Sequence, residues 1–154
     1  MKARDWNIII LAAIIVLAAV LRLTSMFVLG DTYNDDSSEY MGRAENMMNH
    51  ENYFYSPKMP WRFPVYIFAT YTFDLLMRDV WLSSILISFV SSLLSILVIY
   101  LIVGEVYNKK AGLFAAAIAA VLSTNISMSY KILTESFNLL LFMLSLYFLI
   151  LFEK

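Results

Sequence analysis

Val80 to Gly104 is an unbroken stretch without a single charged side chain. A helix needs about 20 mostly apolar residues to cross a bilayer. A segment of this kind must form such a helix or be buried completely. Three further stretches behave in the same way. Trp6 to Leu21 carries no charge, and its run continues past Arg22 through Leu23–Gly30. Leu113 to Leu122 is alanine-rich and extends through Ser123–Tyr130. Ser136 to Phe152 closes the series before Glu153 and Lys154. The composition agrees. Of 154 residues, 61% are hydrophobic and 15% are charged, where a soluble domain carries about a quarter charged residues. The expected fold class is an all-α membrane protein with about four transmembrane helices.

The expected spans are 6–29, 80–103, 112–130 and 135–152, in a single membrane domain over 1–154. Arg22 is expected to snorkel toward the headgroups from near the end of the first span. Lys2 and Arg4 ahead of an apolar run also suit a cleaved signal peptide. No small-x-small site follows, however, and Arg22 interrupts where cleavage would occur. In the third span Ala115, Ala116, Ala119 and Ala120 would let a neighbouring helix approach closely.

Between the first two spans lies a long external loop, 30–79, expected to contain amphipathic and interfacial helices. Its Asp31–Asp79 stretch holds eight acids against four bases. Within it, Tyr40, Ala44, Met47 and Met48 recur at helical spacing, with Asp36 and Ser37 placed to cap that helix. Phe63–Phe73 is apolar and aromatic, with Pro60 ahead of it and Pro64 at its start. It reads as a helix at or dipping into the membrane surface.

Orientation follows from lysine and arginine. With the N-terminus in the cytoplasm, Lys2, Arg4, Lys109, Lys110 and Lys154 lie inside, and the short turn 104–112 weighs most in that balance. Loop 30–79 and the 123–134 turn then face the exterior or a lumen. The chain is expected to be a multi-pass protein of the plasma membrane, or of the ER membrane in a eukaryote. Zero cysteines exclude disulfides and thiol chemistry, and the single histidine, His50, excludes a multi-histidine metal cage. No basic patch exists to neutralise a nucleic-acid backbone.

The candidate chemistry lies on the external side. Asp35 and Asp36 are a carboxylate pair at the water–membrane boundary. Close pairing would raise one pKa toward working pH, suiting a general base, and the pair could also hold a divalent cation. The plainer reading is an acidic helix start favoured by the helix dipole. Glu135 begins the fourth span on the same side, four residues after Lys131, and is either a second site carboxylate or the partner of that lysine. Lys58 and Arg62 flank Pro60 and could anchor to headgroups or bind a lipid phosphate. His50 reads as a solvated loop residue. Asn125-Ile126-Ser127 is a formal glycosylation sequon too close to the membrane for ready use.

These pieces, in this order, resemble the N-terminal part of the GT-C superfamily of polyprenyl-phosphate-sugar-dependent glycosyltransferases. The branch is that of the dolichyl-phosphate-mannose protein mannosyltransferases and lipid A aminoarabinose transferases. Its acidic motif, with Tyr and Ala at four-residue steps, matches Asp36, Tyr40 and Ala44. Arg62-Phe63-Pro64-Val65-Tyr66 resembles its Arg-x-Pro-x-Tyr turn, Tyr107–Leu113 its short basic turn, and Lys131 with Thr134-Glu135 the start of its fourth span. Ser37 stands where the family often has a second acid. The resemblance implies sugar transfer from a polyprenyl-phosphate donor to an acceptor hydroxyl. Asp36, Asp35 and Glu135 would be catalytic, and Arg62, Lys58, Lys131, Tyr40 and Tyr66 would bind substrate. Family members are much longer, so an N-terminal module or truncated product is expected, completed by further membrane helices. The alternative is a small non-enzymatic four-helix protein that binds a lipid or protein partner.

Overall fold

The computed structural model describes residues 3–30, 32–33, 35–49 and 64–153. Lys58, Arg62 and His50 lie outside them. The described residues form seven helices: α1 (Ala3–Leu29), α2 (Asp35–Met48), α3 (Pro64–Met77), α4 (Val80–Val106), α5 (Lys109–Val121), α6 (Ser123–Ser129) and α7 (Glu135–Phe152). Three of them, Trp6–Leu29 within α1, α4 and α7, are long and apolar enough to cross a membrane, and α5 with α6 makes a fourth if the pair is one bent span. The chain is an integral all-α membrane protein.

Local signals explain most helix ends. Gly30, at φ +62, closes α1 by donating its N–H to the Met26 carbonyl, 3.0 Å away. A left-handed residue at that position suits glycine. Pro64 opens α3, where its missing N–H costs nothing. Arg78 ends α3 in the left-handed region at φ 53, and the Asp79 side chain then caps α4 by accepting from Leu82 N at 2.9 Å. Asn108 caps α5 likewise through Ala111 N at 2.9 Å. Helix α2 begins at Asp35, so Asp36 and Ser37 form its first turn rather than preceding it.

α4 touches every other helix, and half of its apolar window is buried inside the bundle, against 17% for α1 and 11% for α7. Two apolar clusters sit on it. One joins Ala18 of α1, Ile96 and Tyr100 of α4, and Leu113, Ala116, Ala119 and Ala120 of α5. Small side chains bring these backbones together. At Gly112 an added Cβ would lie 2.6 Å from the Tyr100 carbonyl oxygen, so only glycine fits. The second cluster joins Tyr40 and Ala44 of α2, Tyr66 and Ile67 of α3, Ile87 of α4 and Leu133.

α3 buries Tyr66, Ile67, Thr70 and Asp74 at helical spacing and exposes Val65, Phe68, Phe73, Leu75 and Leu76. It packs on α2 and α4, with its outer face apolar.

The third span is not one continuous helix over 112–130. α5 and α6 meet at a 61° bend, with Leu122 extended at φ −64, ψ 117. There is no proline or glycine at the break. Two side chains take the carbonyls that the break frees. The Asn125 amide donates to Ala119 O at 3.5 Å, and the Arg22 guanidinium donates to Ala120 O at 3.1 Å. Carbonyls left unpaired in hydrocarbon would each cost several kcal/mol.

Candidate active site at the α2 and α6–α7 end

Residues 130–134, between α6 and α7, are held from several directions. Ile132 N donates to Thr32 O at 3.1 Å. The Ser37 hydroxyl of α2 donates to Ile132 O at 3.0 Å. Ser88 of α4 donates to Leu133 O at 3.3 Å, and Ser136 of α7 donates to Met128 O at 3.0 Å. The first turn of α2 is thereby fastened to the segment that carries Lys131 and leads into Glu135. Asp36 is half-buried in that turn, beside Ser37, and Lys131 is half-buried in the connector. Asp35 starts α2; its side chain is not described.

Glu135 is exposed in the first turn of α7, where the helix dipole favours its charge. It lines a cavity of about 270 Å³ with Ser92, Thr124, Asn125, Ser136 and the apolar Met128.

Arg22 lies behind this cavity and is fully buried. The snorkelling expected of it does not occur. Its Nε donates to Ser92 Oγ at 2.8 Å, and its Nη1 donates to Ala18 O and Ala120 O, both at 3.1 Å. These three bonds satisfy part of the buried guanidinium. Its Nη2 has no hydrogen-bond partner among the described residues. Ser92 belongs to a face of α4 on which Ser84, Ser88, Ser91 and Ser95 are also buried. Sequence reasoning missed Arg22 as a bundle residue. The available signal was that serine-rich face, since an intramembrane cation turns toward polar partners rather than lipid.

Tyr40 and Tyr66 are both core residues. Their rings meet edge to face with centroids 5.4 Å apart, and Tyr66 meets Phe137 at 5.9 Å. The Tyr66 hydroxyl lies 3.3 Å from Ser84 O, to which it donates, and 3.5 Å from Ser88 Oγ. Burial pushes its pKa up to about 12, so it stays a neutral donor. These two rings brace the wall formed by α2, α3 and α7. Arg43 of α2, nearly buried, donates to Glu39 at 2.6 Å one turn before it. Among the described residues no group of three or more acidic or histidine side chains gathers to hold a metal ion.

A family model for dolichyl-phosphate-mannose-protein mannosyltransferases matches residues 59–154. The chain belongs to that family. No curated protein and no solved structure matches it. The mannosyltransferase match spans α3 to α7 and takes in Tyr66, Lys131 and Glu135; Asp35, Asp36 and Tyr40 precede it. Membership agrees with the resemblance carried by the motifs and with the multi-pass helical architecture. It gives the chain a mannosyltransferase-like character in general terms.

Proposed function

We propose that the chain contributes the α2 and α6–α7 end of a glycosyltransferase that moves a sugar from a polyprenyl-phosphate donor to an acceptor hydroxyl. This end faces the exterior or a lumen, and the Lys109–Lys110 turn faces the cytoplasm, as the positive-inside rule favours. Asp36 is the general base. It takes the acceptor hydroxyl proton as that oxygen forms its bond to the anomeric carbon. The bond from that carbon to the phosphate oxygen breaks, and its electron pair stays on the lipid phosphate. Lys131, with Lys58 and Arg62, offsets the charge that develops there. Glu135 is the second carboxylate of the site, orienting sugar hydroxyls. Tyr40 and Tyr66 hold the wall and make no contact with donor. A divalent cation, when bound, would sit at Asp35 and Asp36 and lower the donor phosphate's charge.

The observation that carries this reading is the Ser37–Ile132 hydrogen bond. It fastens the turn bearing Asp36 to the connector bearing Lys131 and ending at Glu135. Family membership supplies the reaction class. The test is sugar transfer from labelled polyprenyl-phosphate donor in membranes carrying wild type or Asp36→Asn. General-base catalysis contributes about 10²–10⁴-fold, so a loss of at least about 100-fold is expected at unchanged protein level and helicity. Wild-type turnover in the variant removes Asp36 from the role.

A further inference from the structure

A second polar site lies away from these residues, between the C-terminal parts of α2 and α3. It is an open cleft of about 560 Å³ lined by Glu45 and Met48 of α2, by Asn49 just after it, by Asp74 and Leu75 of α3, and by Arg78. Asp74 is only 6% exposed, and its Oδ1 is buried with no hydrogen-bond partner among the described residues. A buried carboxylate oxygen without a donor is costly, and Asp74 also lines the cleft. Among the described residues, no cation pairs with Asp74 or Glu45, although Arg78 shares the cleft.

The depth of the cleft identifies its surroundings. Arg78 directly precedes Asp79, the cap of α4, and the membrane-crossing helix begins at Val80. The cleft therefore opens where headgroups lie. Leu75, Leu76 and Met77 beside it are 51%, 79% and 46% exposed, an apolar flank suited to acyl chains.

We propose that this cleft binds the headgroup of an aminophospholipid, with the ammonium on Asp74 and Glu45 and the phosphate on Arg78. The two carboxylates and one guanidinium match a zwitterion of that polarity. An ammonium brings three N–H donors and a positive charge, which offsets the buried Asp74 carboxylate from the cleft side. The guanidinium offers the fork that binds phosphate in two places. A bare divalent cation fits less well, because Arg78 would repel it and the site has only two carboxylates where calcium takes about six to eight oxygen ligands.

The test is lipid retention by the full chain, purified from nanodiscs containing equal parts phosphatidylethanolamine, phosphatidylcholine and phosphatidylglycerol, read by native mass spectrometry. Phosphatidylcholine keeps the phosphate but has no N–H donor, and phosphatidylglycerol keeps the phosphate but has no cation. Phosphatidylethanolamine is expected to be retained at least about fivefold over either, since only its headgroup brings both a cation and N–H donors to the two carboxylates. Asp74→Asn and Glu45→Gln should each abolish that preference, and Arg78→Gln should lower retention of all three lipids alike. Glu45 is exposed, so Glu45→Gln keeps the test decisive should Asp74→Asn fail to fold. Equal retention of the three lipids overturns the proposal. So does an unchanged preference in a folded carboxylate variant, or a magnesium-dependent mass shift, lost in Asp74→Asn, without lipid preference.

Discussion

The Arg22 guanidinium donates to the Ala120 carbonyl across 3.1 Å, joining two helices 98 residues apart at the point where the third span breaks. A positive group at a helix C-terminus is favoured by the dipole, and here it also satisfies a carbonyl in a water-poor interior. Replacing Arg22 with Met should leave Ala120 O and Ser92 Oγ without this donor. The expected loss is about 2–4 kcal/mol, read by thermal unfolding in detergent. Backbone hydrogen exchange over 119–126 should rise in the same variant. Lysine should rescue only in part, since one ammonium cannot reproduce the geometry of a fork reaching three acceptors.

Gly112 and Gly42 predict opposite outcomes for the same substitution. Gly112→Ala drives a methyl group to 2.6 Å from the Tyr100 carbonyl oxygen and should destabilise the α4–α5 contact by about 1–3 kcal/mol. Gly42 lies inside α2 with nothing within 4 Å of an added Cβ. Gly42→Ala should stabilise by about 0.5–1 kcal/mol. Melting temperatures of the two variants should move in opposite directions.

Tyr66 makes the fold sensitive to alkali. Its pKa rises from 10.0 in the reference state to about 12 because burial disfavours the phenolate. A raised pKa stabilises the fold fully below about pH 10, and that contribution is lost as the pH climbs through 12. The contribution is on the order of 2–3 kcal/mol. Unfolding followed across pH 9 to 12 should show a falling melting temperature in wild type. The slope should flatten in Tyr66→Phe.

Ser37→Ala removes the donor to Ile132 O and should cost about 1 kcal/mol of stability. If that bond holds Asp36 in register with Lys131 and Glu135, turnover should fall several-fold with little change in KM. Ser37→Thr, which keeps the hydroxyl, should restore it. Steady-state kinetics of the three forms at one temperature gives the comparison.

Much of this architecture was legible in the residues themselves. Val80–Gly104 and Ser136–Phe152 leave no choice but long helices, and Tyr40 and Ala44 marked the inner face of α2 through their spacing. The break at Leu122 was hidden because its cause is remote. Nothing near residue 122 signals a bend, and the side chain that completes it belongs to α1. Arg22 was misjudged for the same reason: a single charge near a span end suits headgroups as well as a polar interior. Choosing between them needs the serines of α4. Asp74 was passed over because an isolated acid beside the membrane resembles many others. Only its missing partner sets it apart, and that is a tertiary property.

The Arg22–Ala120 pairing also sets a schedule for biogenesis. At synthesis rates of about 5–20 residues per second, the arginine emerges several seconds before the backbone that will receive it, separated by 98 residues of chain. During that interval its charge must be sheltered by headgroups or by the insertion machinery, since an arginine within a span needs polar surroundings. A nascent chain halted before α5 would carry this cation without the carbonyl that receives it.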